Sequence, residues 1–112
     1  SGKDYDFESD KYNIEHVMPE NPGEDWNHIS DRDHEEFLYK LGNMTILSKA
    51  ANKEVGNEGF ETKRQVYGKS EIHITQRIAS ENNEWNSERI RVHQKWLADQ
   101  ASAIWKINQL SQ

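Results

Sequence analysis

Tyr12-Asn13-Ile14-Glu15-His16-Val17-Met18-Pro19 and Leu41-Gly42-Asn43-Met44-Thr45-Ile46-Leu47 are the two stretches on which the fold turns. The first alternates roughly in polarity, the period of a half-buried strand, and Pro19 ends it because proline cannot donate to a ladder. The second is rich in strand formers from Met44 to Leu47. Ser48 is placed to cap a helix that carries Ala50, Ala51, Asn52 and Lys53 and ends near Gly56. Two short strands followed at once by a helix form the expected central unit.

Outward from that unit the pattern is helical. Between the strands, residues 19–29 contain Pro22-Gly23 and read as a loop, with Trp26 pinning it to the body. Ser30, with Asp33 three residues later, opens a helix expected to reach about Lys40, and Gly42 is placed to end it. Beyond Gly56, a helix over 58–67 puts Phe60, Lys63 and Tyr67 on related faces. A second starts at Ser70 and stops at Asn82-Asn83. The last starts at Asn86, with Trp85 and Ile90 spaced as a hydrophobic staple. Its apolar stripe is Ile90, Leu97, Ala101 and Ile104, with Trp96, Trp105 and Ile107 near the edges. Phe60, Tyr67 and the four Trp are assigned to the core. Residues 1–10 are acidic and patternless and are expected to be an arm or linker remnant; 11–112 are expected to form one domain, the C-terminal part of a longer protein.

Composition narrows the function. A chain of 112 residues that is 33% hydrophobic buries one modest core, with aromatics supplying much of its area. Without cysteine there is neither a disulfide framework nor a cysteine zinc site. His28, His34, His73 and His93 show no His-x-His or His-x(3)-His spacing, which argues against a histidine zinc site. No glycine loop of the phosphate-cradling kind is present, so this segment is not expected to bind a nucleotide itself. No stretch is long and apolar enough to span a membrane, and a cytoplasmic location is expected. The net charge of -6 opposes a simple electrostatic grip on a polyanion. It is unevenly spread: residues 1–36 hold 12 acids and 3 bases, residues 37–112 hold 8 acids and 11 bases.

The chemistry concentrates on the central unit. Glu15-His16 closes the first strand, Asn43 enters the second, and Asn52 lies nine residues further on, in the helix. Phosphodiester hydrolysis needs a base near neutrality to take a proton from water, and histidine has that pKa. It also needs a hard cation for the charge that grows on oxygen, and magnesium prefers oxygen ligands such as a carboxylate and an amide. A loop braced by Asn43 can present a backbone carbonyl to hold the second nitrogen of His16. Neighbouring strand residues point to opposite faces, so Glu15 and His16 can converge only if the pleat breaks near Pro19.

These residues resemble the HNH nucleases of the His-Me finger superfamily, in which an acid-His pair, an Asn and a His or Asn occupy those three places. The resemblance implies an α+β fold: a ββα-metal HNH core of two short antiparallel strands plus a helix, surrounded by additional helices. A closer resemblance covers nearly the whole chain. It is to the C-terminal nuclease domain of GmrSD-type modification-dependent (type IV) restriction endonucleases, carried by Glu15, His16, Pro19, Trp26, Leu41 to Leu47, Asn52, Asn57, Phe60, Lys63 and Tyr67. Trp85, Arg91, Leu97 and Ile104-Trp105 also fit.

This implies a hydrolase that cleaves double-stranded DNA, modified or not, as part of a restriction and antiviral defence system. Its metal would be Mg²⁺, with Mn²⁺ as substitute, and its partner an NTP-binding recognition domain or subunit. His16 and Asn43 are then the catalytic candidates, Glu15 and Asn52 the metal ligands, and Asn57, Lys63 and Lys53 further site or phosphate contacts. The alternatives are a non-catalytic docking module with the same fold and an RNase with the same site.

Overall fold

In the computed structural model, residues 11–110 are described. They comprise strand β1 (Tyr12–His16), helix α1 (Asp31–Phe37), strand β2 (Met44–Ser48), and helices α2 (Lys49–Val55), α3 (Phe60–Gly68), α4 (His73–Glu81) and α5 (Ser87–Leu110). Short 3-10 turns lie at Glu24–Trp26 and Leu41–Asn43. The expected acidic arm, residues 1–10, lies outside the described residues. The class is α+β: one two-stranded antiparallel sheet, with Tyr12 opposite Ser48, Glu15 opposite Thr45 and His16 opposite Met44. No helix among the described residues is long and apolar enough to cross a membrane.

Local chemistry accounts for most element ends. The Ser30 hydroxyl accepts the Asp33 N–H at 3.1 Å, and the Ser48 hydroxyl accepts that of Ala51 at 3.1 Å. Each satisfies a donor that an α-helix start leaves orphaned. Asn86 does the same for α5 through Arg89 N–H, 3.0 Å away, and Trp85 and Ile90 are both buried beside it. α2 ends at Gly56, whose φ of +44° is easy only for glycine.

Several boundaries differ from expectation, among them the start of α3, at Phe60 rather than residue 58. β1 stops at His16, because Val17 N–H goes to the Asn43 carbonyl and Met18 N–H to the Asn43 side chain. α1 stops at Phe37 instead of reaching Lys40, and the Leu38 carbonyl is taken by the Asn43 amide at 3.0 Å. α4 starts at His73 rather than Ser70, whose hydroxyl instead accepts the Ile72 N–H.

Gly42 does not end α1. It sits in the following 3-10 turn, against α5, where a Cβ would come 2.3 Å from the Ile90 carbonyl oxygen. Its N–H donates to the Gln94 side chain at 2.9 Å. Glycine is required here by close approach, not by a positive φ.

The core is small and built on large side chains: Met18, Trp26, Phe37, Phe60, Tyr67 and Trp85, closed by Val17, Leu47, Val55, Ile78 and Ile90. Phe60 stacks on Trp85 with centroids 5.5 Å apart. The apolar stripe of α5 is buried only near its start. Ile90 is enclosed and Leu97 half-buried, whereas Ala101, Ile104, Trp105 and Ile107 are exposed because no described element packs against the distal half. Trp105 is therefore not a core residue, and Trp96 is only half-buried.

Candidate functional site

The end of β1, the start of β2, α2 and α3 enclose a polar cluster centred on Glu15. This carboxylate faces inward and is 4% exposed. Its Oε2 accepts from the Tyr67 hydroxyl at 2.6 Å and from the Lys63 ammonium at 2.9 Å. Its Oε1 accepts from the Asn52 amide at 3.0 Å. Lys63 and Tyr67 are four residues apart on α3, hence on one face. The Lys63 ammonium also donates to the His16 carbonyl at 2.9 Å, tying the strand end to the helix. Burial pulls the Lys63 pKa below the ordinary lysine value, and the Glu15 charge opposes that pull. Burial, then the same charge, pushes the Tyr67 phenol well above its usual range.

Asn43 forms a second buried polar centre beside the first. Its Oδ1 accepts from Met18 N–H at 2.8 Å and from the Trp85 indole at 2.9 Å. Its Nδ2 donates to the carbonyls of Met18 and Leu38, both at 3.0 Å. Every polar position of this amide is used. The amide fixes Met18, and the Asn43 main-chain carbonyl fixes Val17, between Met18 and His16, by accepting its N–H at 2.9 Å.

His16 is half-buried and follows the regular alternation of β1, so it leaves the strand on the face opposite Glu15. Its ring meets Tyr39 edge-on, centroids 5.6 Å apart, and the Tyr39 hydroxyl donates to Glu20 at 3.1 Å. The pleat does not break at His16, since it pairs with Met44. The carbonyl of the braced loop that receives an imidazole is that of Pro19, and the imidazole is His34, 2.9 Å away. Among the described residues, the His16 ring has this edge contact with Tyr39 and no hydrogen bond to a carbonyl.

Among the sequence candidates, the fold gathers Glu15, Asn52 and Lys63 into direct contact, with His16 joined through its carbonyl. Asn57 is elsewhere, donating to the Asn21 carbonyl at 3.1 Å, and Lys53 is exposed on α2. Sequence reasoning set Tyr67 aside as core, although its four-residue spacing from Lys63 was visible. The Trp85 indole bond to Asn43, 42 positions away, left no local signal.

Among the described residues no group of three or more His, Cys, Asp or Glu side chains could hold a metal. The chemistry of the donor set fits a different kind of ion site: one carboxylate oxygen, one amide and several waters, as magnesium accepts. Glu15 Oε1 meets only the Asn52 NH₂, and a half-turn of that amide would present its oxygen instead. Oε2 is not open in this way, since Lys63 and Tyr67 occupy it.

No curated protein and no solved structure matches the chain. The family comparison is positive: the match to GmrSD restriction endonucleases, C-terminal domain, runs over residues 1–100, nearly the whole length and all of the cluster just described. By that match the chain belongs to the family of GmrSD restriction endonuclease C-terminal domains, a restriction nuclease module.

Proposed function

We propose that this domain is a metal-dependent DNA endonuclease of the HNH type, that β1, β2 and α2 form its ββα-metal core, and that it hydrolyses phosphodiesters at the end of β1. The observation that carries this reading is the 3.0 Å contact between Glu15 and Asn52, which brings a strand carboxylate and a helix amide together one residue from a half-exposed histidine. His16 takes the proton from the attacking water. Glu15 Oε1 and Asn52 would hold the Mg²⁺, for which Mn²⁺ substitutes. Bound there, the ion supplies Lewis-acid stabilisation of the charge on the phosphoryl and leaving oxygens. Lys63 and Tyr67 clamp Oε2 and so direct Oε1 towards Asn52. Asn43 acts at a distance, ordering the loop after His16. Because Glu15 and His16 leave β1 on opposite faces of an unbroken pleat, this mechanism requires the strand end to rearrange when a phosphate binds, so that both reach it.

Family membership supports a restriction system, with DNA as substrate, as context; double-stranded DNA, an NTP-binding recognition partner and a cytoplasmic location complete the proposal. A second reading, a non-catalytic docking module, is favoured by the exposed Ile104, Trp105 and Ile107 on α5. Plasmid nicking decides between them. With Mg²⁺ or Mn²⁺ the chain should nick, EDTA should stop it, and His16→Ala should reduce the rate by about 10²-fold or more with an unchanged melting temperature. Undiminished nicking by His16→Ala would overturn the mechanism; no nicking, even with a recognition partner and modified DNA, would favour the docking module.

A further inference from the structure

A cavity of about 620 Å³ opens between α3, α4 and α5 and includes none of the candidate catalytic residues. Arg64, Arg77, His73, Gln76, Glu81 and Trp96 are among the residues that line it. Arg77 is held in place without being neutralised. Its guanidinium lies 4.1 Å from the centroid of the Trp96 ring and makes one long contact, 3.5 Å, with Nδ1 of the buried His93. Among the described residues it forms no ion pair within 4.0 Å, although Glu81 is in the same wall. Arg64 is fixed by a 3.1 Å bond from Nε to the Ala79 carbonyl, and its only carboxylate contact among the described residues is a loose 3.8 Å approach of Glu61. Two guanidinium groups therefore face one open cavity with N–H donors to spare, in a chain whose net charge is -6.

We propose that this cavity is a second DNA contact: it binds backbone phosphate through Arg64 and Arg77, remote from the bond to be cut. Guanidinium groups match phosphate oxygens in pairs, and one already stacked on an indole and touching an imidazole loses little freedom on binding. Position supports the assignment. Lys63 on α3 turns to Glu15, while the next residue, Arg64, turns to the cavity, so one helix serves both places. The inference rests on the proposed endonuclease reading for its choice of ligand.

The test is fluorescence anisotropy of a labelled DNA duplex in EDTA, where no cleavage intervenes, across a salt series. The Arg64→Gln/Arg77→Gln variant should bind at least about tenfold more weakly at low salt, and its slope of log K against log salt should fall by about two. Arg64→Lys/Arg77→Lys, which keeps charge but loses the fork, should retain most of the slope while losing part of the affinity. Lys40→Gln, which removes an exposed charge outside both sites, should bind nearly as the parent does, which shows that the loss belongs to the cavity. Unchanged affinity and slope in the glutamine variant would overturn the proposal, as would no DNA affinity in the parent chain. So would a lysine variant whose slope falls as far as the glutamine variant's, since that marks a structural role. Absence of nicking together with the expected binding pattern would sink the endonuclease mechanism and leave this site standing.

Discussion

The clusters around Glu15 and Asn43 are as well buried as the one around His93, but they solve the burial of polar atoms differently. At the strand end, the Asn43 amide uses its full hydrogen-bonding capacity, and Glu15 has partners on both oxygens. His93, 1% exposed among Trp85 and Trp96, has one long contact to Arg77 and no partner at Nε2 among the described residues. A completed network is rigid and inexpensive to keep, whereas a buried donor without a partner carries a cost of about 1–3 kcal/mol. The first region is built to hold one geometry. The second tolerates incompleteness beside an open cavity.

The sharpest way to break this comparison is to make the complete cluster incomplete. Lys63→Met leaves the Glu15 carboxylate buried without its counter-charge and should cost about 3–5 kcal/mol in denaturant unfolding. Combining it with Glu15→Gln should recover most of that loss, because the desolvated charge is gone as well. Failure of the double variant to recover would mean that Lys63 stabilises through its bond to the His16 carbonyl rather than through the ion pair.

The incomplete cluster should show itself through pH. Burial first, and the Arg77 charge second, lower the His93 pKa from 6.5 to about 4. Between those values the unfolded chain binds the proton and the folded chain does not, so stability falls as pH drops from about 6.5 to 4 and levels off below. The contribution of this one group is on the order of 2–3 kcal/mol. Melting at pH 7 and pH 4.5 measures it: His93→Gln should lose less stability over that interval than the parent. Equal losses would show that His93 is not the group responsible.

The smallest effect belongs to an ion pair with neither kind of burial. Lys95 and Asp99 meet at 3.2 Å on the surface of α5, one turn apart, with Lys first, the less favourable order. Lys95→Ala should change unfolding stability by less than about 0.5 kcal/mol. A loss comparable to that of Lys63→Met would undo the argument that burial sets the scale.

What was legible in the sequence was local. Ser30 and Ser48 cap their helices through bonds that span three positions, and alternation along 12–16 already implied that Glu15 and His16 face apart. The approach of Asn52 to Glu15 was also readable, because the strand–strand–helix order brings those elements together. Contacts made across the fold were not. Gly42 looks like a helix stop until α5 is seen lying against it, and nothing near Tyr39 announces its contact with His16. The apolar residues of α5 misled for the complementary reason. A stripe of helical period shows that a face is apolar, but only tertiary packing decides whether it is covered, and from Ala101 onwards among the described residues it is not.

The contact at Gly42 ties α5 to the turn before β2. The helix is held at Ile90 and Gln94 against the turn that leads into Asn43, and at Trp96 by Arg77; from Ala101 to Gln109, about 12 Å of helix, all its residues are exposed among the described residues. The inner end of α5 thus lies against the residue next to Asn43, whose amide fixes the loop after His16, while Ile104 and Trp105 stay exposed at its outer end. A side chain added at position 42 would therefore press on α5 and strain the turn before Asn43 at once.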